Sequence, residues 1–229
     1  MTVAIVGGTG DLGFALAVRL AEAGVEVVIG SRDAERAVEA AERAGRAAGG
    51  GDVAGAENPQ AVDGAEVVFV TVPYAGQAEI YRSIRDALDG RAVVCDTTTP
   101  LATAVGGRPT QVVRPWHGSA AEQAAAILRD ESAVVSGFHT VSAELLQEGG
   151  AEVDEDVLLC GDDPEAKVRI GELTERIPGL RWVDCGPLTA ARILEPITAA
   201  LISVNRRYHV RGSGIRLTGR DAWGVPPER

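Results

Sequence analysis

The sequence predicts an α/β protein built on a doubly wound, mostly parallel sheet, and three observations carry that reading. Apolar runs of strand length alternate with helical patterns along most of the 229 residues. Several of these runs are continuous and rich in valine, the pattern of strands covered on both faces. Hydrophobic residues make up 45% of the chain while aromatic residues contribute only 4%, which suits helices packed closely on a buried sheet more than an all-β shell.

The elements follow in order. A first strand is expected over residues 3–6 and a helix over 14–23, joined by a glycine turn. A second strand over 25–29 leads to a helix over 34–48, with Asp33 as its N-cap. Gly49, Gly50 and Gly51 end that helix and are expected to open a flexible surface loop. Further strands are expected over 67–72, 92–95, 112–113, 134–139, 157–160 and 181–185, with helices over 78–88, 120–128 and 164–177. Asp162 and Asp163 read as the N-cap ahead of Pro164, which suits the first helical position. The alternation implies parallel crossover units. Residues 188–204 read as a last helix interrupted at Pro196, which divides the chain into a core of residues 1–187 and a small C-terminal helical extension of residues 188–229.

The first turn carries the functional signal. Strand, Gly7-Gly8-Thr9-Gly10-Asp11-Leu12-Gly13, helix and second strand follow one another within about 30 residues, which is the Rossmann-type dinucleotide-binding context. Gly8 is assigned the tight turn, Gly10 the close approach of backbone to a pyrophosphate, and Gly13 the close packing of helix on strand. The helix N-terminus receives the phosphate charge. The second strand then ends in Gly30-Ser31-Arg32, where an NAD-binding unit usually places a carboxylate for the ribose hydroxyls. A 2′-phosphate could instead accept hydrogen bonds from Ser31 and Arg32, with Arg36 one helical turn further on, so NADP is favoured. Asp33 would be the ribose acid if the register slipped by two; it is read as the helix cap.

Composition bounds the partners. The net charge of −11 repels nucleic acid and anionic membranes, so neither is an expected partner. Cys95, Cys160 and Cys185 lie far apart without ligand spacing and read as small buried residues of a reducing compartment. No secretory signal pattern and no apolar run of membrane-spanning length is seen, so a cytoplasmic location is expected. No metal-ligand spacing occurs.

The reaction is narrowed by what is missing. Lys167 is the only lysine, and none of Tyr74, Tyr81 or Tyr208 is followed four residues later by a lysine. Alcohol oxidation needs a base for the hydroxyl proton, and no obvious one is present. His139, in Gly137-Phe138-His139-Thr140, is the best titratable candidate near the ligand edge, its alternative being a histidine hydrogen-bonded to backbone. His117 and His209 read as surface residues. The loop Thr71-Val72-Pro73-Tyr74 is expected beside the middle and nicotinamide end of the cofactor. Hydride transfer between two bound cofactors needs no side-chain base, because holding two rings face to face supplies the catalysis.

With these residues in hand, the chain resembles the NADPH-dependent reductases of the deazaflavin coenzyme F420. The resemblance rests on the glycine turn, Gly30-Ser31-Arg32, Thr71-Val72-Pro73, Ser136 to Thr140, Leu159-Cys160-Gly161-Asp162-Asp163, Asp184-Cys185-Gly186-Pro187-Leu188 and Gly212-Ser213-Gly214-Ile215. It implies an oxidoreductase that passes hydride between NADPH and F420, with a deazaflavin site between core and extension, and a homodimer. On that pattern Thr9, Gly10, Asp11 and Leu12 face the pyrophosphate, and Ser31, Arg32 and Arg36 hold the 2′-phosphate. Val72, Pro73, Tyr74, Ala78 and Ala143 lie along the rest of NADP. His139, Arg192, Glu195 and Thr198 match positions near the ring pair, without a certain catalytic residue among them, and Ser213 matches a deazaflavin contact. Arg206, Arg207, Arg211, Arg216 and Arg220 form a basic tail, read either as a solvated face or subunit contact or as a site for the anionic tail of the coenzyme. Two departures stand out: Pro196 replaces an expected hydroxyl residue, and residues 218–229 run past the family's usual finish. The rival readings are an NADPH-dependent imine or pyrroline-carboxylate reductase and a non-catalytic NADP sensor.

Overall fold

Among the described residues, eight strands form one sheet: β1 (Thr2–Val6), β2 (Glu26–Ser31), β3 (Val53–Glu57), β4 (Val67–Val70), β5 (Val93–Asp96), β6 (Ala133–Ser136), β7 (Asp156–Gly161) and β8 (Arg181–Asp184). The structure, a computed structural model, describes residues 1–129, 132–148, 152–219, 223, 224 and 226. The strand order is β3-β2-β1-β4-β5-β6-β7-β8. Neighbours run parallel except at β6 and β7, where Val135 faces Gly161 in antiparallel pairing. The chain winds outward from β1 to β3 and returns to β4, so the order reverses between β1 and β4. A crevice at the carboxyl ends of strands is expected at such a switch point.

Helices cover both faces: α1 (Asp11–Glu22), α2 (Ala34–Ala47), α3 (Asn58–Val62), α4 (Tyr74–Ile84), α5 (Ala120–Leu128), α6 (Ala143–Gln147), α7 (Pro164–Glu175), α8 (Ala191–Leu194) and α9 (Ile197–Tyr208). The period-two alternation of β1 shows how one strand serves two cores. Val3 and Ile5 join a cluster with Leu16, Leu20 and Ala37, whereas Ala4 and Val6 join one with Ile80, Ile84 and Leu128. Helix α2 packs through Ala37, Ala40, Ala41 and Ala44, the helical spacing of one face. Alanine lets it sit close: a Cβ on Gly55 of β3 would lie 2.4 Å from the Ala37 carbonyl carbon.

The structure corrects several expected elements. The stretch after Gly51 is not a loop but β3 and α3. Val53-Ala-Gly-Ala-Glu57 lacks a strand-like apolar run, and its order comes from pairing with β2, from Val27 opposite Val53 to Ser31 opposite Glu57. Residues 112–113 make only an isolated bridge between Leu101 and Val112, and β6 takes the place beside β5. β4 stops at Val70, and the Thr71 hydroxyl donates to the Val6 carbonyl at 3.0 Å. β6 stops at Ser136 because the chain turns through Phe138 at φ +64°. Helix α4 starts at Tyr74, four residues before the expected 78, with Pro73 as N-cap. Helix α6 was not expected at all.

Asp33 and Asp163 cap α2 and α7 as read from sequence, each side chain accepting backbone N–H bonds. Pro196 does interrupt the extension: it ends the turn after α8 and caps α9, which runs to Tyr208. Leu188, Ala191 and Leu194 pack into the same core cluster as Val6 and Val70. Arg220 and much of the 218–229 tail lie outside the described residues.

Candidate functional site

A cleft of about 710 Å³ opens at the carboxyl ends of β1, β2 and β4, walled among others by Gly7, Thr9, Gly10, Ser31, Arg32, Arg36, Asn58, Val72 and Pro73. The glycine turn makes its floor. The positive φ falls on Gly7, at +79°, rather than on Gly8, whose tight requirement is space against Ile29 and the Ile5 carbonyl. Gly13 is the closest contact of the motif: a Cβ there would lie 2.4 Å from Thr71 Oγ1 and 2.8 Å from Gly8 Cα. The first turn of α1 therefore fits against the glycine turn only because Gly13 and Gly8 carry no side chains. Gly10 caps α1 without a side-chain hydrogen bond, which leaves first-turn N–H groups free to receive an anion.

One end of the cleft is cationic. Arg32 and Arg36 are exposed on its wall, and among the described residues neither is paired with a carboxylate. Ser31 Oγ accepts from the Asp33 N–H at 3.3 Å and keeps a hydroxyl proton to donate. The Asp33 carboxylate accepts from the Arg36 N–H at 3.1 Å, so it is engaged in capping α2. Asn58, buried in the same wall, has an amide oxygen with no partner. A buried acceptor left open in a cleft fits the donor groups of an adenosine ribose. Glycine floor, unpaired arginines and open acceptor together fit a 2′-phosphorylated dinucleotide.

Beyond β4 a smaller space of about 210 Å³ shares Pro73 and Ala75 with the cleft and adds Tyr74, Thr99, Leu101, Thr103 and Ala104. The extension reaches it through Thr198, whose hydroxyl donates to the His139 carbonyl at 2.8 Å and lies 3.0 Å from Thr99 Oγ1. The other expected ring-pair residues are occupied. Glu195, 1% exposed, accepts the Ala120 and Ala121 N–H groups at 2.9 and 3.0 Å and so caps α5. Burial nevertheless pushes its carboxyl up to about 8. Arg192 makes a two-pronged pair with Glu122 at 2.7 and 2.8 Å. His139 lies in the loop after β6, not in a strand, with Nε2 3.4 Å from Ser136 Oγ. Burial pushes its imidazole down to about 4, so it is neutral at physiological pH.

Other expected residues stand apart. Gly8, Asp11, Leu12, Gly13, Ala78 and Ala143 are not among those lining the cleft; Gly8 and Gly13 lie beneath its floor, and Ala143 opens α6 beside α1. Ser213 donates its N–H to Asn205 Oδ1 at 3.2 Å, and its hydroxyl is buried without a partner. The basic tail is partly spent internally: Arg216 pairs with Asp154 at 2.9 Å and Asp156 at 3.3 Å, and Arg211 lies 3.9 Å from Glu144. Arg206 and Arg207 remain exposed in the last turn of α9. Sequence reasoning missed Asn58, Ala75, Gly76, Glu79 and Ile80 as wall residues. Pro59 at the start of a helix was the available signal for Asn58. Among the described residues no cluster suits a metal ion, and no helix is long and apolar enough to cross a membrane.

The buried carboxyls set a pH dependence. Glu195 at about 8 and Glu155 at about 7, both raised by burial, hold protons in the folded state that the unfolded chain releases near its ordinary value of 4.5. A raised folded pKa means that stability falls as pH climbs to that value. Between pH 6.5 and 9 the loss should be on the order of 2 kcal/mol, lowering the melting temperature by roughly 4–8 °C. Calorimetry at the two pH values checks this; an equal or higher melting temperature at pH 9 contradicts it.

Comparison with known proteins gives a consistent set of likenesses. A family model described as NADP oxidoreductase, coenzyme F420-dependent, matches residues 2–100, the stretch from β1 past β5. The F420-dependent NADP reductase of Methanothermobacter thermautotrophicus is 44% identical over 221 residues, covering 95% of each chain. That of Methanocaldococcus jannaschii is 42% identical over 225 residues, covering 95% of this chain and 98% of its own. A crystal structure from an Arthrobacter species, described as a candidate F420-dependent NADP reductase, superposes with a TM-score of 0.81 at 25% identity over 96% of this chain and 100% of that one.

Proposed function

The chain belongs to the family of F420-dependent NADP reductases, and on that premise we propose that it transfers hydride directly between NADPH and coenzyme F420, with no side chain giving or taking a proton at the reacting atoms. The observation that carries this reading is a cleft whose one end presents Ser31, Arg32 and Arg36, with neither arginine paired to a carboxylate among the described residues. Ser31, Arg32 and Arg36 would hold the 2′-phosphate, and the α1 N-terminus with Thr9, Gly10, Asp11 and Leu12 the pyrophosphate. Val72, Pro73, Tyr74, Ala78 and Ala143 would follow the rest of NADPH.

The deazaflavin would lie between the core, residues 1–187, and the extension, residues 188–229. His139, Arg192, Glu195, Thr198 and Ser213 would border it, mostly as supports: Thr198 ties α9 to the His139 loop, and Glu195 fixes the start of α5. NADPH supplies a hydride with its electron pair, and the proton that completes reduced F420 comes from solvent. The protein contributes alignment and exclusion of water, which is where the catalytic gain of a two-ring transfer lies. A cytoplasmic homodimer completes the reading, with exposed Ile193, Val204 and Tyr208 offering an apolar face to a second copy.

The test mixes the protein with NADPH and oxidised F420 and follows the coenzyme's visible absorbance. Turnover is expected. Turnover with a cyclic imine but not with F420 would instead support the imine-reductase rival, and thermal stabilisation by NADPH without any turnover would support the sensor.

A further inference from the structure

Beneath Tyr74 runs a chain of two side-chain amides, one buried and one half-buried, that the hydride transfer itself does not use. Gln77, with no exposed surface, places its Nε2 between the Ala120 carbonyl, 2.9 Å away, and the Asp96 carboxylate. Asp96 is itself fully buried at the end of β5 and accepts the Thr98 N–H at 2.7 Å. Gln123 Nε2 donates to Gln77 Oε1 at 2.8 Å, and the Tyr74 hydroxyl donates to Gln123 Oε1 at 3.4 Å.

The direction of this chain is fixed from its buried end. A backbone carbonyl and a carboxylate can only accept, so the Gln77 nitrogen must face them and its oxygen must face Gln123. Gln123 then has to present its nitrogen to Gln77 and its oxygen to Tyr74. A phenol has one proton, and here it is consumed. A ligand that reaches the Tyr74 hydroxyl from the 210 Å³ space lined by this residue therefore meets lone pairs and no donor.

That space continues the cofactor cleft past the end of β4, where a dinucleotide laid from Arg32 across the glycine turn brings its nicotinamide half. We propose that Gln77 and Gln123 are positioning residues that make Tyr74 an obligate hydrogen-bond acceptor for the carboxamide N–H of the nicotinamide, thereby setting the rotation of the ring that gives up hydride. The inference rests on the NADPH reading of the cleft and adds the group that reads its reactive end. Burial raises the Tyr74 phenol above its usual value, in keeping with a neutral hydroxyl that keeps its proton on Gln123.

The test is binding, without F420, of NADPH and of its reduced 3-acetylpyridine analogue, which keeps the ribose hydroxyls but has a methyl ketone in place of the carboxamide. The wild-type protein should prefer NADPH by roughly 3- to 10-fold, one neutral hydrogen bond. Tyr74→Phe and Gln123→Leu should each erase that preference, and the double variant should be no worse than either single one. Gln123 is chosen because it is only half-buried, so its variant folds more readily than one at Gln77. A packing defect would weaken both ligands alike and leave the ratio intact. An unchanged ratio in Tyr74→Phe overturns the inference while the NADPH reading stands; failure of the wild-type protein to bind NADPH overturns both.

Discussion

Arg32→Ala should weaken NADPH binding by about 10- to 100-fold, the worth of a charge-assisted hydrogen bond to the 2′-phosphate, while NADH binding changes by no more than about two-fold. The expectation follows from what surrounds the guanidinium. Arg32 is exposed on the cleft wall, pairs with no acid among the described residues, and faces no ribose-reading carboxylate, because Asp33 is engaged with the α2 backbone. The net charge of −11 opposes a phosphorylated dinucleotide at long range, so the local cations carry the attraction. The same variant should therefore lose less affinity in high salt, where its field is screened. Fluorescence titration with both nucleotides at two ionic strengths reads the effect, and equal losses for NADPH and NADH would contradict it.

Gly13→Ala should be a severely damaging single methyl in the glycine turn. Its Cβ would meet Thr71 Oγ1 at 2.4 Å, Gly8 Cα at 2.8 Å and the Gly7 carbonyl at 2.9 Å. Two of these three are backbone and cannot swing away. Overpacking of this kind costs about 1–3 kcal/mol, which lowers the melting temperature by roughly 3–10 °C in a chain of this size. The effect on binding should be larger, about 100-fold or more, because relief requires α1 to withdraw from the turn that would cradle the pyrophosphate. Thr71→Ala on the same background should recover little, since the Gly7 and Gly8 contacts remain. A Gly13→Ala protein with wild-type melting temperature and NADPH affinity would show that the turn does not constrain the position of α1.

The central strands were legible because they are buried on both faces and written in unbroken apolar runs; β1, β4 and β5 are Val-rich for that reason. β3 was not, because Val53-Ala-Gly-Ala-Glu57 is chosen for thinness under α2, and Gly55 in particular sits against the Ala37 backbone. Missing β3 hid Asn58, which follows it directly and turns its amide into the cofactor wall. At the cleft the motif located the phosphate end well, since the glycines and Ser31-Arg32 are contiguous in sequence.

The second half of the site was legible only by position. The partners of Glu195 lie 74 and 75 residues away, so no local pattern announces that its carboxylate caps α5. Arg216 likewise seemed available for a ligand until the fold brought Asp154 and Asp156 against it. The state of His139 depends on burial, which sequence does not report; a loop turning at Phe138 hides the ring and leaves it neutral.

Hydride should pass between the two substrates without exchanging with any protein or solvent proton. NADPH carrying deuterium at the transferable C4 position, turned over with oxidised F420 in ordinary water, tests it in one spectrum. One deuterium is expected at the hydride-accepting carbon of the deazaflavin, with full retention. Two protium atoms and no deuterium at that carbon, which already carries one hydrogen before reduction, would mean that the transferred hydrogen had passed through an exchangeable group, and direct transfer would be wrong.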